Sequence, residues 1–337
     1  MSYCLFFRRE LRCRQWCGLW GRLGCCLLSV LLLVGAGLPA ALAEAFDYRL
    51  QPQQVAPGVY VLLGAREDFD TRNGGNIVNT GFIVGRDGVI VIDSGPSRRY
   101  GEQLRAAIRR VTPLPPVLLL NTHHHPDHFL GNQAFAELPI AALPATRQGI
   151  AAEGNAFAEN LYRLSGDWLK GTEVLAPNRE LAAGTLEVAG RKLDLLALAG
   201  HTDADLVVID RASGVIFAGD LVFHQRAPTT PHAEIGGWLA ALDALEALIR
   251  APGFTRLVPG HGPVSADATP IAETRAWLRW LAGQLEADAR AGLDMSEVLQ
   301  RPLPPELARL PLAQREYRRS VEHWFPAIEA RVLAEKP

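Results

Sequence analysis

The feature that most constrains this chain is a cluster of histidines that follows a short apolar run. Val117–Asn121 is too short for a helix and predicts a strand, and the motif THHHPDH begins directly after it. In extended backbone, side chains two residues apart leave on the same side, so His123 and His125 can bind one ion. Asp127 and His128 add a carboxylate and another imidazole, which a borderline metal such as zinc accepts. The cluster therefore predicts a metal site at the end of this strand rather than a polar surface loop.

Three further candidate ligands stand beside glycines where predicted strands end. They are His201, Asp220 and His261, in the runs GHT, GD and GHG. Alone, such a pair is more typical of a turn or a helix cap. In this order after the histidine cluster, the three side chains predict contributions to the same site, because strands position the functional loops at their ends.

The distribution of apolar residues predicts the fold class. Short β-branched runs between Gly-rich turns predict strands, and amphipathic patterns predict helices. The predicted strands are Val59–Leu63, Ile77–Val84, Val89–Asp93, Val117–Asn121, Leu186–Val188, Leu193–Leu198, Leu206–Ile209, Val215–Ala218 and Leu257–Val258. The predicted helices are Arg99–Arg110, Trp238–Arg250 and Ile271–Arg290. Two mixed halves of this kind predict an α/β fold, a four-layer αββα sandwich with the sheets inside and the helices outside.

The predicted domain boundaries follow from this pattern. The sandwich is expected to span residues 44–265, with residues 266–337 forming a C-terminal helical extension packed on it. A charged segment with flanking glycines, residues 65–73, lies between two predicted strands. It is either a flap over the site or an ordinary exposed hairpin.

The motifs and their order resemble the metallo-β-lactamase superfamily, and the resemblance covers about residues 55–265. It implies a metallo-β-lactamase fold with two zinc ions, and Asp93 resembles the family's buried structural aspartate. The residues it implies as ligands are His123, His125 and His201 for the first ion, Asp127, His128 and His261 for the second, and Asp220 as the bridge between them.

Differences between these motifs and those of other members distinguish between the branches of this superfamily. Position 220 is Asp where the best-known zinc β-lactamases carry a cysteine ligand, so a bridged site similar to that of glyoxalase II is the closer match. His125 stands where diiron oxygen reductases of this fold have Glu, and no flavodoxin-like segment follows, which disfavours oxygen reduction. The C-terminal helices lack the basic glutathione-binding signature of glyoxalase II, which disfavours that thioester as substrate.

Several longer runs resemble a narrower branch, the exported quinoprotein relay system zinc metallohydrolases. These runs are residues 76–84, 91–97, 219–223, 237–239 and 258–263. Relatives of this branch occur near quinoprotein dehydrogenase and sulfur-oxidation systems. The resemblance therefore implies a small-molecule substrate and a periplasmic partner system of one of these kinds, but it does not supply the substrate itself.

The expected reaction is hydrolysis of a small carbonyl substrate: an ester, a thioester, a lactone or a β-lactam. Two zinc ions would lower the pKa of a water shared between them from about 15.7 to about 7, so a metal-bridging hydroxide is the expected nucleophile. Asp127 is the expected catalytic residue, because its carboxylate can orient this water and carry a proton to the leaving group.

Two other classes of function remain open at this stage. A mononuclear iron enzyme similar to the persulfide dioxygenases needs only three of the candidate ligands, namely His123, His201 and Asp220. The other candidate ligands would then form a complete second set with no metal ion to bind, which disfavours this alternative. A metal protein without catalytic activity that serves a periplasmic redox system is the other alternative.

The N-terminal segment differs in composition from the rest of the chain. Arginines precede an apolar run from Cys25 to Val34, and Ala41-Leu42-Ala43 is typical of signal peptidase cleavage. The run is too short for a spanning helix, so we expect residues 1–43 to be a cleaved signal peptide and the protein to be periplasmic or secreted, with no membrane segment after cleavage.

The composition of the expected mature chain narrows its chemistry. All five cysteines lie within residues 1–43, so the mature chain has no thiolate ligand or nucleophile. Loss of five arginines and one glutamate changes the formal net charge from −2 to −6. This charge disfavours nucleic acid as a partner, because such a partner requires a basic surface.

Overall fold

The computed structural model describes residues 46–335, and from Tyr48 onward they belong to one compact unit. The predicted signal peptide lies outside the described residues. None of the helices in residues 46–335 combines the length and the apolar character that membrane crossing requires.

The first sheet contains seven strands within the described residues, and their order across the sheet is the same as their order along the chain. These strands are β1 (Gln53–Ala56), β2 (Val59–Leu62), β3 (Thr80–Val84), β4 (Val89–Ile92), β5 (Pro116–Leu120), β6 (Ile140–Ala142) and β7 (Arg179–Glu180). Strands β1 to β4 pair antiparallel, and β4 to β7 pair parallel. The carboxyl ends of β4 and β5 therefore meet at one edge of this sheet.

The second sheet contains five strands in the described part of the chain, in the order β12-β11-β10-β9-β8. These strands are β8 (Gly184–Val188), β9 (Arg191–Leu198), β10 (Asp205–Asp210), β11 (Val215–Phe223) and β12 (Arg256–His261). Strands β8 to β11 pair antiparallel, and β11 pairs parallel with β12. Both sheets are thus mixed.

Helices cover the sheets and continue beyond the last strand. The α-helices described between residues 46 and 335 are α1 (Arg98–Val111), α2 (Pro126–Phe129), α3 (Pro144–Ser165), α4 (Ile235–Arg250), α5 (Thr269–Ala291), α6 (Met295–Leu299), α7 (Pro305–Ala308) and α8 (Ala313–Ala334). The N-terminus of α1 is capped by Ser97, whose hydroxyl accepts a hydrogen bond of 3.0 Å from the backbone N–H of Tyr100.

Two clusters of buried side chains hold these layers together. One lies between the sheets and combines Ile90 and Leu120 of the first sheet with Leu206 and Phe217 of the second. The other packs the second sheet against α4 and the C-terminal helices, with residues such as Trp277 buried at its centre. Burial of apolar surface drives both contacts, so helices after residue 266 share a core with the second sheet.

The α/β sandwich with extra C-terminal helices, predicted from the sequence, is confirmed. The predicted strand Ile77–Val84 begins later, at Thr80, and the structure adds β1, β6 and β7. The sequence pattern also missed α3, a helix of 22 residues.

Candidate metal centre

Strand ends from both sheets bring the predicted site residues together. Strand β5 ends at Leu120, and the histidine cluster continues from it. Pro126 then occupies the first turn of α2, where its missing N–H does no harm, and His125 is the N-cap. The backbone changes from extended to helical at His125. The side chains of the cluster before this residue and those after it therefore point in different directions.

The other elements supply one side chain each. His261 is the last residue of β12, as predicted, whereas Asp220 lies inside β11, because this strand continues past its predicted end at Ala218 to Phe223. His201 lies on the loop between β9 and β10, where the Asp205 carboxylate accepts hydrogen bonds from the backbone N–H groups of His201 and Thr202 at 3.1 and 3.0 Å. These bonds fix the loop that presents the His201 ring.

The first group of side chains, His123, His125 and His201, places three ring nitrogens around one point. His123 Nε2 lies 3.1 Å from His125 Nδ1, which lies 2.8 Å from His201 Nε2. One ligand atom from each of these residues and from Asp220 all lie within 4.8 Å of one another. Two nitrogens bound to a tetrahedral zinc would be about 3.4 Å apart, so this spacing fits a shared ion.

The second group, Asp127, His128 and His261, is arranged around an adjacent point. Asp127 Oδ2 lies 3.5 Å from His261 Nε2 and 3.9 Å from His128 Nε2. All three side chains are buried. Their ligand atoms also lie within 4.8 Å of one another.

The Asp220 carboxylate lies between the two groups. Its Oδ2 is 3.3 Å from His201 Nε2 and 3.1 Å from His261 Nε2, and its Oδ1 is 3.1 Å from His128 Nε2. The structure thus brings all seven predicted ligands together and places Asp220 next to both groups.

Unpaired buried atoms test whether these residues suit metal ions. His128 Nε2 and Asp220 Oδ1 lie within ion-pair distance, yet neither has a hydrogen-bond partner among the described residues. Buried polar atoms without partners are unfavourable, and a cation between a nitrogen and an oxygen would satisfy both. The donor set of imidazoles and carboxylates also suits zinc.

The charge balance of the two groups differs. Burial lowers the pKa of His123 and His125 well below 6.5 and that of His201 to about 3, so these rings are neutral, as metal ligands must be. At His128 burial acts in the same direction, but the carboxylates of Asp220, Asp93 and Asp127 outweigh it and raise the pKa. The carboxylates around His128 therefore favour positive charge at this ring.

The outer nitrogens of the rings have their own contacts. His128 Nδ1 lies 2.8 Å from Asp93 Oδ2, and His261 Nδ1 lies 2.7 Å from the carbonyl oxygen of Ile77. Asp93 also accepts hydrogen bonds from the backbone N–H and the hydroxyl of Thr122. Asp93 has a φ of 57°, in the left-handed region, which aspartate tolerates better than most residues.

His232 is a site residue that the sequence analysis missed. Its Nδ1 lies 2.7 Å from Nε2 of His125, on the side of that ring away from the first group. His232 is exposed, and no spacing rule relates it to the motif. Together with the buried His124 it lines an outer cavity of about 490 Å³.

A cavity of about 220 Å³ opens beside the two groups. His125, Asp127 and Asp220 contribute to one part of its lining. The apolar part is formed by Phe69, Ile77, Pro126, Phe157, Leu164 and Pro231. Asp68 and Phe69 belong to the segment 65–73, so part of that segment borders the cavity.

Two glycines also shape this site. Gly260 lies beside Asp220 in the paired strands β11 and β12, and a Cβ atom at position 260 would lie 1.9 Å from Asp220 Oδ1. Gly219 has a φ of 52°, which glycine adopts without strain. Gly260 therefore leaves room for the Asp220 carboxylate, and a Cβ atom at Gly219 would instead approach Thr122 at 3.2 Å.

Comparisons with known proteins agree with this architecture. The model of the metallo-β-lactamase superfamily matches residues 73–261. A linear primary-alkylsulfatase of Pseudomonas sp. (strain ATCC 19151) is 24% identical over 282 residues, which cover 70% of this chain and 52% of the sulfatase. The chain therefore spans about half the length of that relative.

Two other proteins are similar over a larger share of their own length. The acyl-coenzyme A thioesterase MBLAC2 of Gallus gallus is 25% identical over 211 residues, which cover 56% of this chain and 73% of the thioesterase. The solved structure of a metallo-β-lactamase from Pontibacter korlensis has a TM-score of 0.55 at 22% identity, and the match covers 68% of this chain and 99% of that chain. This likeness shows the fold.

Proposed function

The chain belongs to the metallo-β-lactamase superfamily, and from this premise we propose that it is a hydrolase with a dinuclear zinc centre, as the hydrolase relatives support. We propose that its substrate is a small carbonyl compound: an ester, a thioester, a lactone or a β-lactam. The proposal of two zinc ions rests on the position of Asp220, because its two oxygens lie 3.1–3.3 Å from nitrogens of both groups.

The first ion would be held by His123, His125 and His201, the second by Asp127, His128 and His261, and both by Asp220. When bound, zinc lowers the pKa of a coordinated water from about 15.7 to about 7 and polarises a carbonyl oxygen. The chain's own contribution is a set of ligand atoms positioned at the edge of a cavity of about 220 Å³, which suits a small substrate.

Asp127 is the proposed catalytic residue. Its carboxylate lines the cavity and lies 3.5 Å from His261. Burial raises the pKa of the Asp127 carboxyl above that of an exposed aspartate. It would orient the attacking water, accept its proton and transfer the proton to the leaving oxygen, sulfur or nitrogen as the carbonyl carbon loses that group.

Within this class, esters and thioesters are favoured. The name of the MBLAC2 relative assigns it an acyl-coenzyme A thioesterase activity. The apolar part of the cavity lining can hold a short acyl chain, whose burial contributes binding free energy.

Metal content and turnover, measured together, test the proposed function. Protein purified without added metal should contain two equivalents of zinc and should hydrolyse members of a panel of 4-nitrophenyl esters, acyl thioesters, lactones and β-lactams. Asp127→Asn, assayed at saturating zinc, should lose at least about 100-fold in kcat, the lower range for loss of a general acid or base, and should bind the second ion more weakly because Asp127 is also one of its proposed ligands. One equivalent of iron without zinc would overturn the dinuclear proposal in favour of the mononuclear dioxygenase.

We further propose that the protein is exported and acts in the periplasm beside a quinoprotein or sulfur-oxidation system. The order of arginines, apolar run and Ala41-Leu42-Ala43 supports export. N-terminal sequencing of protein from a periplasmic extract should give a start near Glu44. Protein that is found in the cytoplasm and still begins at Met1 would contradict export.

A further inference from the structure

Helix α3 contributes a row of side chains to the cavity beside the metal centre. Phe157, Asn160 and Leu164 line this cavity, and their spacing of three and four residues places them on one face of the helix over about two turns. Phe157 and Leu164 are only partly buried, so each presents apolar surface to the cavity. None of the three side chains is charged, and the row therefore suits an apolar part of a substrate.

The first residue of this row, Phe157, lies next to the metal centre. Its ring centroid is 6.0 Å from that of His125, a proposed ligand of the first ion, and the two rings are nearly perpendicular. Leu164 lies about 10.5 Å further along the helix axis, since each helical residue advances about 1.5 Å. The row therefore begins at the ligands and leads away from them.

Another wall of the cavity includes Phe69, which belongs to segment 65–73. This segment is bound to the chain just after α3, where Trp168 Nε1 donates a hydrogen bond of 2.8 Å to the carbonyl oxygen of Thr71. The two walls thus approach each other beyond Leu164, which limits the length of the space along the row.

We propose that this row and Phe69 form a pocket for an unbranched acyl chain, and that Leu164 limits the length of chain that the pocket accepts. The inference rests on the proposed function and specifies its substrate class, esters or thioesters of straight-chain fatty acids. The limit is about eight carbons, because a chain advances about 1.3 Å per carbon–carbon bond of about 1.5 Å along a row of about 10.5 Å. With the carbonyl group at the metal centre, the chain contacts Phe157 first and Leu164 last.

A series of 4-nitrophenyl esters from acetate to dodecanoate tests the pocket on the zinc-loaded full-length protein. The value of kcat/KM should rise by about two- to fourfold per methylene group up to octanoate, because each added group buries further apolar surface. It should fall for decanoate and dodecanoate, which extend beyond Leu164. A kcat/KM that is independent of chain length, with the esters hydrolysed, would overturn the pocket and leave the hydrolase proposal intact.

Substitutions of Leu164 should change the chain length at which kcat/KM is highest. Leu164→Ala lengthens the pocket and should move the maximum to esters about two carbons longer, whereas Leu164→Trp should move it to esters about two carbons shorter. Tyr162→Ala is the matched control and should keep the wild-type profile, since Tyr162 is a large exposed residue of the same helix that does not line this cavity. If both Leu164 variants kept the wild-type maximum, Leu164 would not limit the chain.

An exposed member of the row provides a variant that does not disturb the core. Asn160→Leu makes the row apolar throughout, so the ratio of kcat/KM for octanoate to that for acetate should rise by about threefold. An unchanged ratio would contradict contact between the chain and α3, even if the Leu164 variants do not fold.

Binding without turnover separates the pocket from the proposed ester hydrolysis. Straight-chain hydroxamic acids bind zinc through their oxygens and carry the same alkyl chains as the esters. In calorimetry on the zinc-loaded protein, their affinity should increase up to a length of about eight carbons, and Leu164→Trp should lower this limit. This result in a protein that hydrolyses none of the esters would support the pocket and contradict ester hydrolysis. An affinity that does not depend on chain length would overturn the pocket.

Discussion

The two ligand groups that share Asp220 are held in place differently. In the second group, buried acceptors hold the outer nitrogens of both rings: Asp93 at His128 and the Ile77 carbonyl at His261. In the first group, the outer nitrogen of His125 reaches only the exposed His232, and Nδ1 of His201 has no partner within residues 46–335. Contacts of this kind fix the orientation of a metal-binding ring. We therefore expect the second group to be the more rigid and to bind its ion more tightly.

Removal of the shared carboxylate should break both groups. Asp220→Ala takes away the oxygens that face His128, His201 and His261, so both affinities for zinc should fall by more than about 100-fold, beyond what loss of an outer contact causes. A competition titration with a chelator measures both sites. Asp210→Asn, a change at a buried aspartate remote from the ligands, is the control, and retention of both ions by Asp220→Ala would exclude the shared role.

A change at Asp93 should weaken the second group selectively. Asp93→Asn keeps the size of the side chain and tolerates its φ of 57°, but it removes the charged acceptor from His128 and Thr122. Affinity for the second ion should fall by about 10- to 100-fold, with the first ion retained. Equal weakening of both ions would show that Asp93 supports the whole centre and not one group.

Loss of His232 should weaken the first group, with a smaller effect. His232→Ala leaves the outer nitrogen of His125 to water, which can replace the contact in part because the site is exposed, so affinity for the first ion should fall by about tenfold. His232→Gln, which keeps an acceptor, should recover part of this loss. His323→Ala, in the same outer cavity but without contact to His125, should bind zinc as the wild type does.

The smallest effect is expected where the groups meet. The Thr122 hydroxyl donates to Asp93 and lies 3.1 Å from His123 Nδ1 and 3.3 Å from His128 Nδ1. Thr122→Val keeps the shape and removes these bonds, so each affinity should fall by about fivefold, which corresponds to about 1 kcal/mol. If the chelator titration showed a lower affinity for only one of the two zinc ions, Thr122 would not support both groups.

The sequence predicted the parts of this site that follow local rules. His123 and His125 were identified from a spacing of two, and His201, Asp220 and His261 from their places beside glycines at strand ends. The sandwich followed from short β-branched runs between Gly-rich turns, because strands buried on both faces, such as β4 and β11, give nearly continuous apolar runs in the sequence.

Features that arise from contacts distant in sequence were not predictable. Arg226 and Arg319 approach the cavity from a loop after β11 and from α8, and no local pattern links the two. The C-terminal helices lack the glutathione-binding signature of glyoxalase II, and no local pattern predicted that Arg319 of α8 would line the cavity. Helix α3 was missed because few of its residues are buried and its N-cap, Leu143, makes no side-chain cap bond.

The absence of a side chain at Gly260 limits the mutations that the protein can tolerate. Any side chain there would displace the Asp220 carboxylate, although position 260 itself supplies no ligand and no charge. A single missense change at a residue without functional groups could therefore abolish the enzyme as completely as the loss of a ligand. In such a protein, the positions that tolerate no variation extend beyond the residues that carry out the chemistry.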